Sequence, residues 1–319
     1  MSLMDISKIF SLLQPRRGRG EEEDEEDEEE GERCEALHGA VSADDPALLS
    51  RLLSQEGYRR CIDRRSGWGI PQTPLRAAAS RGHLRCLEVL LQHHAEVDSL
   101  DVKAQTPLFA AVSGKHPECA AALLRAGADP NGSPYNNCSP LLTAAREGDA
   151  DVLRELLGHG AEVDARSKVP EWAANATACR GPLYISAVYG HLDCFKLLLL
   201  HGANPDYNCT DRKMLGRIKQ PKTVAEVCLR YGCGAEYVRL LVDFGADVYL
   251  PALIVDKTTE RNDALALLLK ERVYPKTLMT QTRIAIRRQL PLANKEPSIE
   301  RLDIPLILRK YLNHVILSI

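Results

Sequence analysis

The sequence predicts an all-α protein, a solenoid of about five to seven helix-pair repeats followed by a separate C-terminal helical segment. Two observations predict this fold class. A Pro-Leu pair preceded by Thr, Ser or Gly recurs at spacings of 33, 33 and 42 residues, and an Ala-rich stretch and a Leu pair follow each copy. From residue 275 onward the pattern changes to a different helical stripe. A fixed period of this length is typical of stacked repeats, in which each unit buries its faces against its neighbours.

Composition excludes several classes of protein. The 319 residues carry a net charge of −3 and 27% charged residues, which is globular composition without the dominant basic surface of a nucleic-acid binder. No run of 18 apolar residues exists to span a membrane, and the N-terminus does not resemble a secretory signal. We therefore expect a cytoplasmic or nuclear protein with neither nucleic acid nor membrane as its partner, and its ten cysteines reduced.

Residues 1–33 form an N-terminal region with two parts. The first has apolar residues at helical spacing, which predicts a short amphipathic helix that folds back on the first repeat or docks on a partner. Its members are Leu3, Ile6, Ile9, Phe10 and Leu13. The second part is a run of ten acidic residues at 21–30. We predict a solvated, disordered tail there, and the functional alternative is attraction of a basic partner.

Residues 34–274 hold the repeats. Thr or Ser caps the first helix of a unit, Pro fits its first turn, the Leu pair buries the second helix, and Gly ends that helix in a left-handed conformation. The clear copies start at Thr73, Thr106, Ser139 and Gly181. A weaker copy starts at Thr223, and degenerate copies cover 40–53 and 253–269. The longer spacings predict insertions in the joining loops, at about 167–178 and 211–221.

These units resemble ankyrin repeats over roughly residues 34–270. The His that often follows Thr-Pro-Leu in that family is Arg76, Phe109, Leu142 or Tyr184 here. We expect the hydrogen bond from that His to the capping Thr to be lost and the repeats to be less stable than consensus ones.

Ankyrin arrays bind proteins through their turn tips and first helices, so exposed aromatic and charged turn residues are the candidates for binding a substrate protein. Each of them could instead pack locally within its own loop. The candidates are Arg64, Arg65, Trp68, Asp101, Tyr135, Asn136, Trp172 and Tyr207.

No catalytic, metal or cofactor site is predicted. His83, His116 and His191 recur at the same position of three repeats, and a cysteine follows each at a fixed distance. Residues in repeat phase lie about one repeat apart, so they cannot converge on one ion or substrate. The sequence also lacks Cys-x-x-Cys and His-Glu-x-x-His patterns. We therefore interpret them as structural histidines at helix starts and buried thiols, and expect a protein that is not an enzyme.

Residues 275–319 form the last region. Leu278, Thr282 and Ile286 follow one another on one helical stripe, and a second apolar segment lies at 299–312. Together they hold more apolar surface than a terminal helix pair can hide by itself. Such a surface is either a docking site for a partner or the cap of the last repeat.

This region resembles a SOCS box, whose pattern is Ser-Leu-x-x-Leu-Cys-Arg-x-x-Ile-Arg, then Ile-x-x-Leu-Pro-Leu-Pro and x-x-Leu-Lys-x-Tyr-Leu. The matching residues are Thr277, Leu278, Arg283, Ile286, Arg287, Ile299, Leu302, Ile304, Pro305, Leu308, Arg309, Tyr311 and Leu312. With the repeats before it, the chain resembles the ankyrin-repeat and SOCS-box family.

The resemblance implies a substrate-recognition adaptor of a ubiquitin ligase. Leu278, Thr282 and Ile286 would bind elongin C, to which elongin B is attached. Leu302, Ile304 and Pro305 would recruit cullin-5 with its RING subunit. The array would hold an unidentified protein substrate for ubiquitination and proteasomal degradation. The alternative is a protein-binding scaffold that recruits no ligase.

Two residues depart from the family pattern. Thr282 stands where the family has Cys, and burying its hydroxyl costs roughly 1–3 kcal/mol unless it is hydrogen-bonded. We therefore expect weaker elongin binding than in the family at large. Asp303 replaces the first Pro of Leu-Pro-Leu-Pro, which bears on cullin choice and affinity.

Overall fold

The computed structural model describes residues 21–66, 71–136, 138–165, 181–206, 223–249, 263–273, 276–289, 299 and 303–313. Apart from one isolated bridge between Ser66 and Gln72, the regular structure of these residues is helical, which confirms the all-α prediction. Their helices are α1 (Glu21–Ser42), α2 (Pro46–Leu53), α3 (Glu56–Arg59), α4 (Pro74–Arg81), α5 (Leu84–Gln92), α6 (Pro107–Ser113), α7 (Pro117–Arg125), α8 (Pro140–Glu147), α9 (Ala150–Gly158), α10 (Pro182–Val188), α11 (Leu192–Leu200), α12 (Val224–Arg230), α13 (Ala235–Asp243), α14 (Asp263–Val273), α15 (Leu278–Gln289) and α16 (Leu306–Leu312).

The helices stack in two rows, as the repeat pattern predicts. The first helices α1, α4, α6, α8, α10 and α12 pack on one another in sequence order, and so do the second helices α2, α5, α7, α9, α11 and α13. The first Leu of each of the four clear pairs is completely buried between the rows. One continuous core therefore runs the length of the array, and each repeat depends on its neighbours.

Local chemistry sets the helix boundaries. The side chains of Thr73, Thr106, Ser139 and Thr223 accept the backbone N–H three residues on, as N-caps do, and Pro fills the next position in the first three. The second helices end at residues with positive φ, which are Gly127, Gly160, Gly202 and Gly245, with φ of 90–95°. In the earliest clear repeat His94 takes this role at φ 65°, a conformation that costs an L-residue energy.

The acidic run is helical, so the predicted disordered tail is wrong for residues 21–30. Helix α1 starts at Glu21 and crosses the predicted boundary at residue 33 without a break. Its far end is anchored because Leu37 and Val41 are fully buried in the first repeat, and a helix nucleated there propagates at little cost. Arg64 pairs with Glu30 at 2.8 Å, and acidic residues are favourable at a helix N-terminus.

Several predicted features lie outside the described residues. They are the amphipathic segment at 3–13, the insertions at 167–178 and 211–221, and most of the degenerate copy at 253–269. The second helix of that copy is α14, which packs on α13 and places Ala264 and Leu268 in the core.

Candidate functional site

An apolar surface on helix α15 faces away from the array. The helix starts at Leu278 because the hydroxyl of Thr277 accepts the Thr280 N–H at 3.2 Å. Leu278 is 79% exposed, and Met279 and Ile286 are also exposed. These three side chains give the helix an apolar face that is exposed in the described part of the chain, as the sequence predicts for a docking site.

Helix α16 adds to the exposed apolar surface. Leu306, Ile307 and Leu308 are 62%, 50% and 43% exposed in its first turn. Just before it, Pro305 is exposed and Ile304 is half-buried, so both predicted cullin contacts have solvent access. The third, Leu302, lies outside the described residues. We refer to the exposed apolar residues of α15 and α16 together as the outer face.

The other side of α15 is docked on the array through Arg283. This residue is 3% exposed, and its Nη2 donates to Asp243 Oδ1, at the end of α13, at 2.8 Å. Its guanidinium also lies 4.8 Å from the centroid of the Tyr311 ring in α16. Burial raises the pKa of Asp243 despite the nearby cation, so the ion pair forms in a poorly solvated place.

One turn later, Arg287 connects three parts of the chain. Its Nη1 donates to the Leu312 carbonyl of α16 at 2.7 Å, and its Nη2 donates to the Leu200 carbonyl of α11 at 3.0 Å. The guanidinium lies 4.4 Å from the centroid of the Phe244 ring. Burial and the Arg283 charge lower the pKa of Arg287 to about 10, so these contacts have to offset a desolvation cost.

The two arginines match the SOCS-box pattern, but their role was not predicted. Sequence reasoning placed them in the motif without an inward contact, and it missed Asp243, Phe244 and the α11 carbonyl entirely. A signal was present, since residues 283 and 287 are four apart and share a helix face distinct from that of Leu278 and Ile286.

The hydroxyl of Thr282 is already satisfied within α15. It donates to the Leu278 carbonyl at 2.8 Å. Because the hydroxyl is hydrogen-bonded, its burial would not carry the desolvation penalty of an unpaired hydroxyl. The physical reason for expecting weaker elongin binding is therefore removed. Asp303 is exposed.

The candidate substrate contacts lie in the loops that join repeats. Tyr135 is 77% exposed, while the side chain of Asn136 accepts the Cys138 N–H within the same turn. Arg64 pairs with α1, and Arg65 Nη2 donates to the Leu100 carbonyl at 2.5 Å. Val102, in the loop after α5, is 60% exposed and was missed by the sequence analysis. The candidates Trp68, Trp172 and Tyr207 lie outside the described residues.

The prediction that Asp101 is a surface contact for a substrate protein is wrong. It is 6% exposed, and its Oδ2 lies 2.7 Å from Arg76 Nη2. Its Oδ1 accepts the N–H groups of Lys103 and Gln105, which shapes the turn. Arg76 thus uses the position of the missing family His for a buried ion pair between two repeats. Thr73 meanwhile hydrogen-bonds to the Ser99 hydroxyl at 3.1 Å.

The histidines in repeat phase stand at helix starts, as predicted. Each of His83, His116 and His191 is the N-cap residue of a second helix. His83 Nδ1 donates to the Val41 carbonyl at 2.8 Å, and His191 Nε2 donates to the Arg146 carbonyl at 3.0 Å. These bonds tie a repeat to the one before it, a role that spacing alone did not reveal.

Within the described part of the chain, no group of three His, Cys, Asp or Glu side chains could hold a metal ion. None of the helices described there combines the length and apolar character needed to cross a bilayer.

Comparison with known proteins gives two families that account for most of the chain. Ankyrin repeats match three times, at residues 37–134, 95–167 and 141–252, and a SOCS box matches residues 274–313. Ankyrin repeat and SOCS box protein 12 of mouse is 60% identical over 98% of this chain and 100% of its own length. The human protein of that name is 57% identical over 98% and 99%. Human ankyrin repeat and SOCS box protein 1 is 42% identical over 89% and 90%.

Solved structures support the fold alone. The ankyrin repeat domain of human ASB11 is 23% identical, with a TM-score of 0.53 over 76% of this chain and 99% of that one. The ankyrin repeat domain of Bcl-3 is 24% identical, with a TM-score of 0.59 over 74% and 97%.

Fold and outer face together define a class, the ankyrin solenoid with a C-terminal SOCS box. The chain belongs to the ankyrin repeat and SOCS box family. Two of these relatives, from mouse and human, are named as the twelfth member of that family. This family supports a role as a substrate adaptor in ubiquitin ligase complexes, an adaptor subunit rather than the catalytic one.

Proposed function

We propose that this chain is the substrate receptor of an elongin B/C–cullin-5 RING ubiquitin ligase. The outer face carries the proposal, because Leu278 is 79% exposed on a helix whose opposite side is already docked. A SOCS-box helix of this form can insert Leu278, with Thr282 and Ile286 beside it, into an apolar pocket of elongin C. Leu302, Ile304 and Pro305 are then the contacts for cullin-5.

The proposed mechanism is proximity. The array binds a substrate protein through its joining loops, and the docked SOCS box fixes where the ligase subunits lie relative to that substrate. A substrate lysine is thereby held near the ubiquitin-charged conjugating enzyme, which raises its effective concentration without any catalytic group in this chain. A mechanism of this kind is consistent with the positions of the repeat-phase histidines at helix starts.

The outer face also favours this proposal over a scaffold that recruits no ligase. If the C-terminal segment only capped the array, its apolar residues would face the last repeat. Tyr311 and Leu312 are buried, but Leu278, Leu306 and Ile307 are exposed.

Affinity purification tests the proposal directly. The tagged full-length chain is expressed in cells with and without proteasome inhibition, and bound proteins are identified by mass spectrometry. We expect elongin B, elongin C, cullin-5 and its RING subunit under both conditions, and substrates enriched by the inhibitor. Recovery of another cullin in place of cullin-5 would correct the cullin assignment, and absence of both elongins would reject the ligase.

Tyr135 is the proposed anchor for the substrate. Large aromatic side chains at the centre of interfaces often contribute about 2 kcal/mol, so Tyr135→Ala should reduce substrate recovery by at least about tenfold while elongin recovery is unchanged. The matched control is Tyr231→Ala, because Tyr231 is 52% exposed but lies in the turn between α12 and α13, away from the joining loops. Equal losses in both variants would show that Tyr135 has no special role.

A further inference from the structure

Two cysteines lie close together where α12 ends, Cys228 in its last turn and Cys233 in the turn that leads to α13. The α12 helix ends in a Schellman turn, in which the Cys233 N–H donates to the Cys228 carbonyl at 2.8 Å and Gly232 takes a positive φ of 68°. This turn brings the side chains at its two ends into contact. Cys228 and Cys233 stand at these two ends, and each thiol shifts the pKa of the other. Cys228 is completely buried and Cys233 is 8% exposed.

The pair is particular to this repeat among those described. The same backbone bond closes the corresponding turns of earlier repeats, from His83 to Ala78, His116 to Ala111, Asp149 to Ala144 and His191 to Ser186. In those turns no sulfur stands at either end. The last described repeat therefore places two thiols where its neighbours place an imidazole or carboxylate and a small side chain.

The two thiols differ in reactivity. The neighbouring Cys228 thiol lowers the pKa of Cys233, whereas the Cys233 thiol and burial raise the pKa of Cys228. By contrast, burial raises the pKa of both Cys119 and Cys194 to about 11. Since the thiolate is the nucleophile, Cys233 is the member of the pair that attacks an electrophile.

We propose that Cys228 and Cys233 are an oxidation site that forms a disulfide with hydrogen peroxide as the oxidant. The Cys233 thiolate attacks one peroxide oxygen, the O–O bond breaks, and the departing hydroxide takes up a proton to become water. Cys233 is then a sulfenic acid. The Cys228 sulfur attacks the sulfenic sulfur, the S–O bond breaks, and the hydroxyl leaves as a second water with the Cys228 proton. Two thiols are oxidised by two electrons, and one peroxide is reduced to two waters.

The second step is favoured by the first. The largest cause of the raised pKa of Cys228 is the neighbouring Cys233 thiol. Once Cys233 is a neutral sulfenic acid, that cause is removed and Cys228 ionises more easily. The chain thus carries both the attacking and the resolving thiol within one turn.

Oxidation also removes a contact between repeats. The Cys233 thiol donates to the Ala187 carbonyl at the end of α10 at 3.3 Å, in the manner of the histidines at the same phase. A disulfide has no proton to donate, so this bond is lost. The α13 helix that follows the turn carries Asp243, the partner of Arg283, so the site adjoins the platform on which the SOCS box docks. This inference does not depend on the ligase assignment.

Peptide mapping tests the site. The reduced full-length chain is treated with graded hydrogen peroxide, unfolded in iodoacetamide to block remaining thiols, and digested with trypsin without reduction. Trypsin cuts at Arg230, between the two cysteines, and yields peptides 223–230 and 231–239. We expect one species in which a disulfide joins these peptides, at peroxide doses at least about tenfold below those that modify Cys119 or Cys194, because each pKa unit changes the thiolate fraction about tenfold.

Single variants establish the order of events. Cys228→Ala should leave Cys233 as a sulfenic acid that dimedone labels, while Cys233→Ala should give no dimedone adduct at Cys228. The pair Cys34 and Cys61 is an internal control, because burial and the Cys61 thiol both raise the pKa of Cys34, to about 12. Absence of the linked species, or oxidation of Cys228 and Cys233 only at the doses that modify Cys119, overturns the proposal.

Discussion

We expect Leu278→Asp to abolish co-purification of elongin B and elongin C with this chain while the array stays folded. Leu278 is 79% exposed, so a carboxylate there remains solvated in the free chain and folding loses little. In an apolar pocket the same carboxylate would lose its hydration without a partner, a penalty of several kcal/mol. A loss of that size changes a dissociation constant by more than about a hundredfold, which pull-down and titration calorimetry both detect.

Val102→Asp is the matched control, since Val102 is 60% exposed in a loop of the array far along the chain from α15. It should retain the elongins at the level of the unmodified chain. Thermal unfolding followed by circular dichroism should give the same transition for both variants. Elongin recovery from Leu278→Asp equal to that of the control would mean that α15 does not enter elongin C.

Most of the array could be predicted from the sequence because its rules are local. A hydroxyl three residues before a free amide makes an N-cap, a Pro needs no donor in the first turn, and a Gly accepts positive φ. Thr73, Ser139 and Gly160 each meet one of these conditions within a few residues. The same period places Leu90 and Leu123 in the core, because equivalent positions of stacked units have equivalent surroundings.

Contacts between repeats were predicted less well because they join residues far apart in sequence. Nothing near Asp101 shows that its partner is Arg76, since the pair depends on how two units stack. An Asp in a turn was therefore interpreted as exposed. The length of α1 shows a similar limit. Ten acidic residues repel one another in an isolated peptide, but here the buried Leu37 and Val41 hold the end of the helix they belong to.

In the C-terminal segment, too, local features could be predicted from the sequence and contacts with distant residues could not. The exposure of Leu278 and Ile286 could be predicted, because an apolar surplus follows from counting side chains on one helix face. The docking of Arg283 and Arg287 could not, since their partners are a carboxylate at the end of α13 and two backbone carbonyls. A backbone carbonyl has no sequence signature. The stripe was therefore assigned either to a partner or to the cap, whereas the structure docks one side of the segment on the array and leaves the other side exposed.

On the docked side of the segment, Arg287 makes the contacts that join both SOCS-box helices to the array. Its guanidinium donates to carbonyls of α11 and α16 and packs on Phe244, so one side chain fixes the segment to the array. Hydrogen bonds from charged donors contribute about 1.5–3 kcal/mol each, and cation–π packing adds to them. Against this stands the burial that lowers the pKa of Arg287 to about 10. We expect Arg287→Ala to weaken docking by about 3 kcal/mol net, since it also leaves the buried carbonyls unpaired.

Hydrogen–deuterium exchange on the full-length chain measures this effect. In Arg287→Ala, amides of α15 and α16 should exchange more than about a hundredfold faster, while those of α4 and α6 are unchanged. Arg287→Lys is the control for charge: a point cation lacks the forked donors and should recover only part of the protection. Elongin binding should survive in both Arg287 variants, because Leu278 lies on the outer face.

Leu278→Asp and Arg287→Ala together separate two roles of α15. Leu278→Asp should abolish elongin binding but keep the helix docked on the array. Arg287→Ala should keep elongin binding but weaken the docking of the helix on the array. Unchanged protection in Arg287→Ala would mean that Arg283 and Tyr311 hold the segment without it.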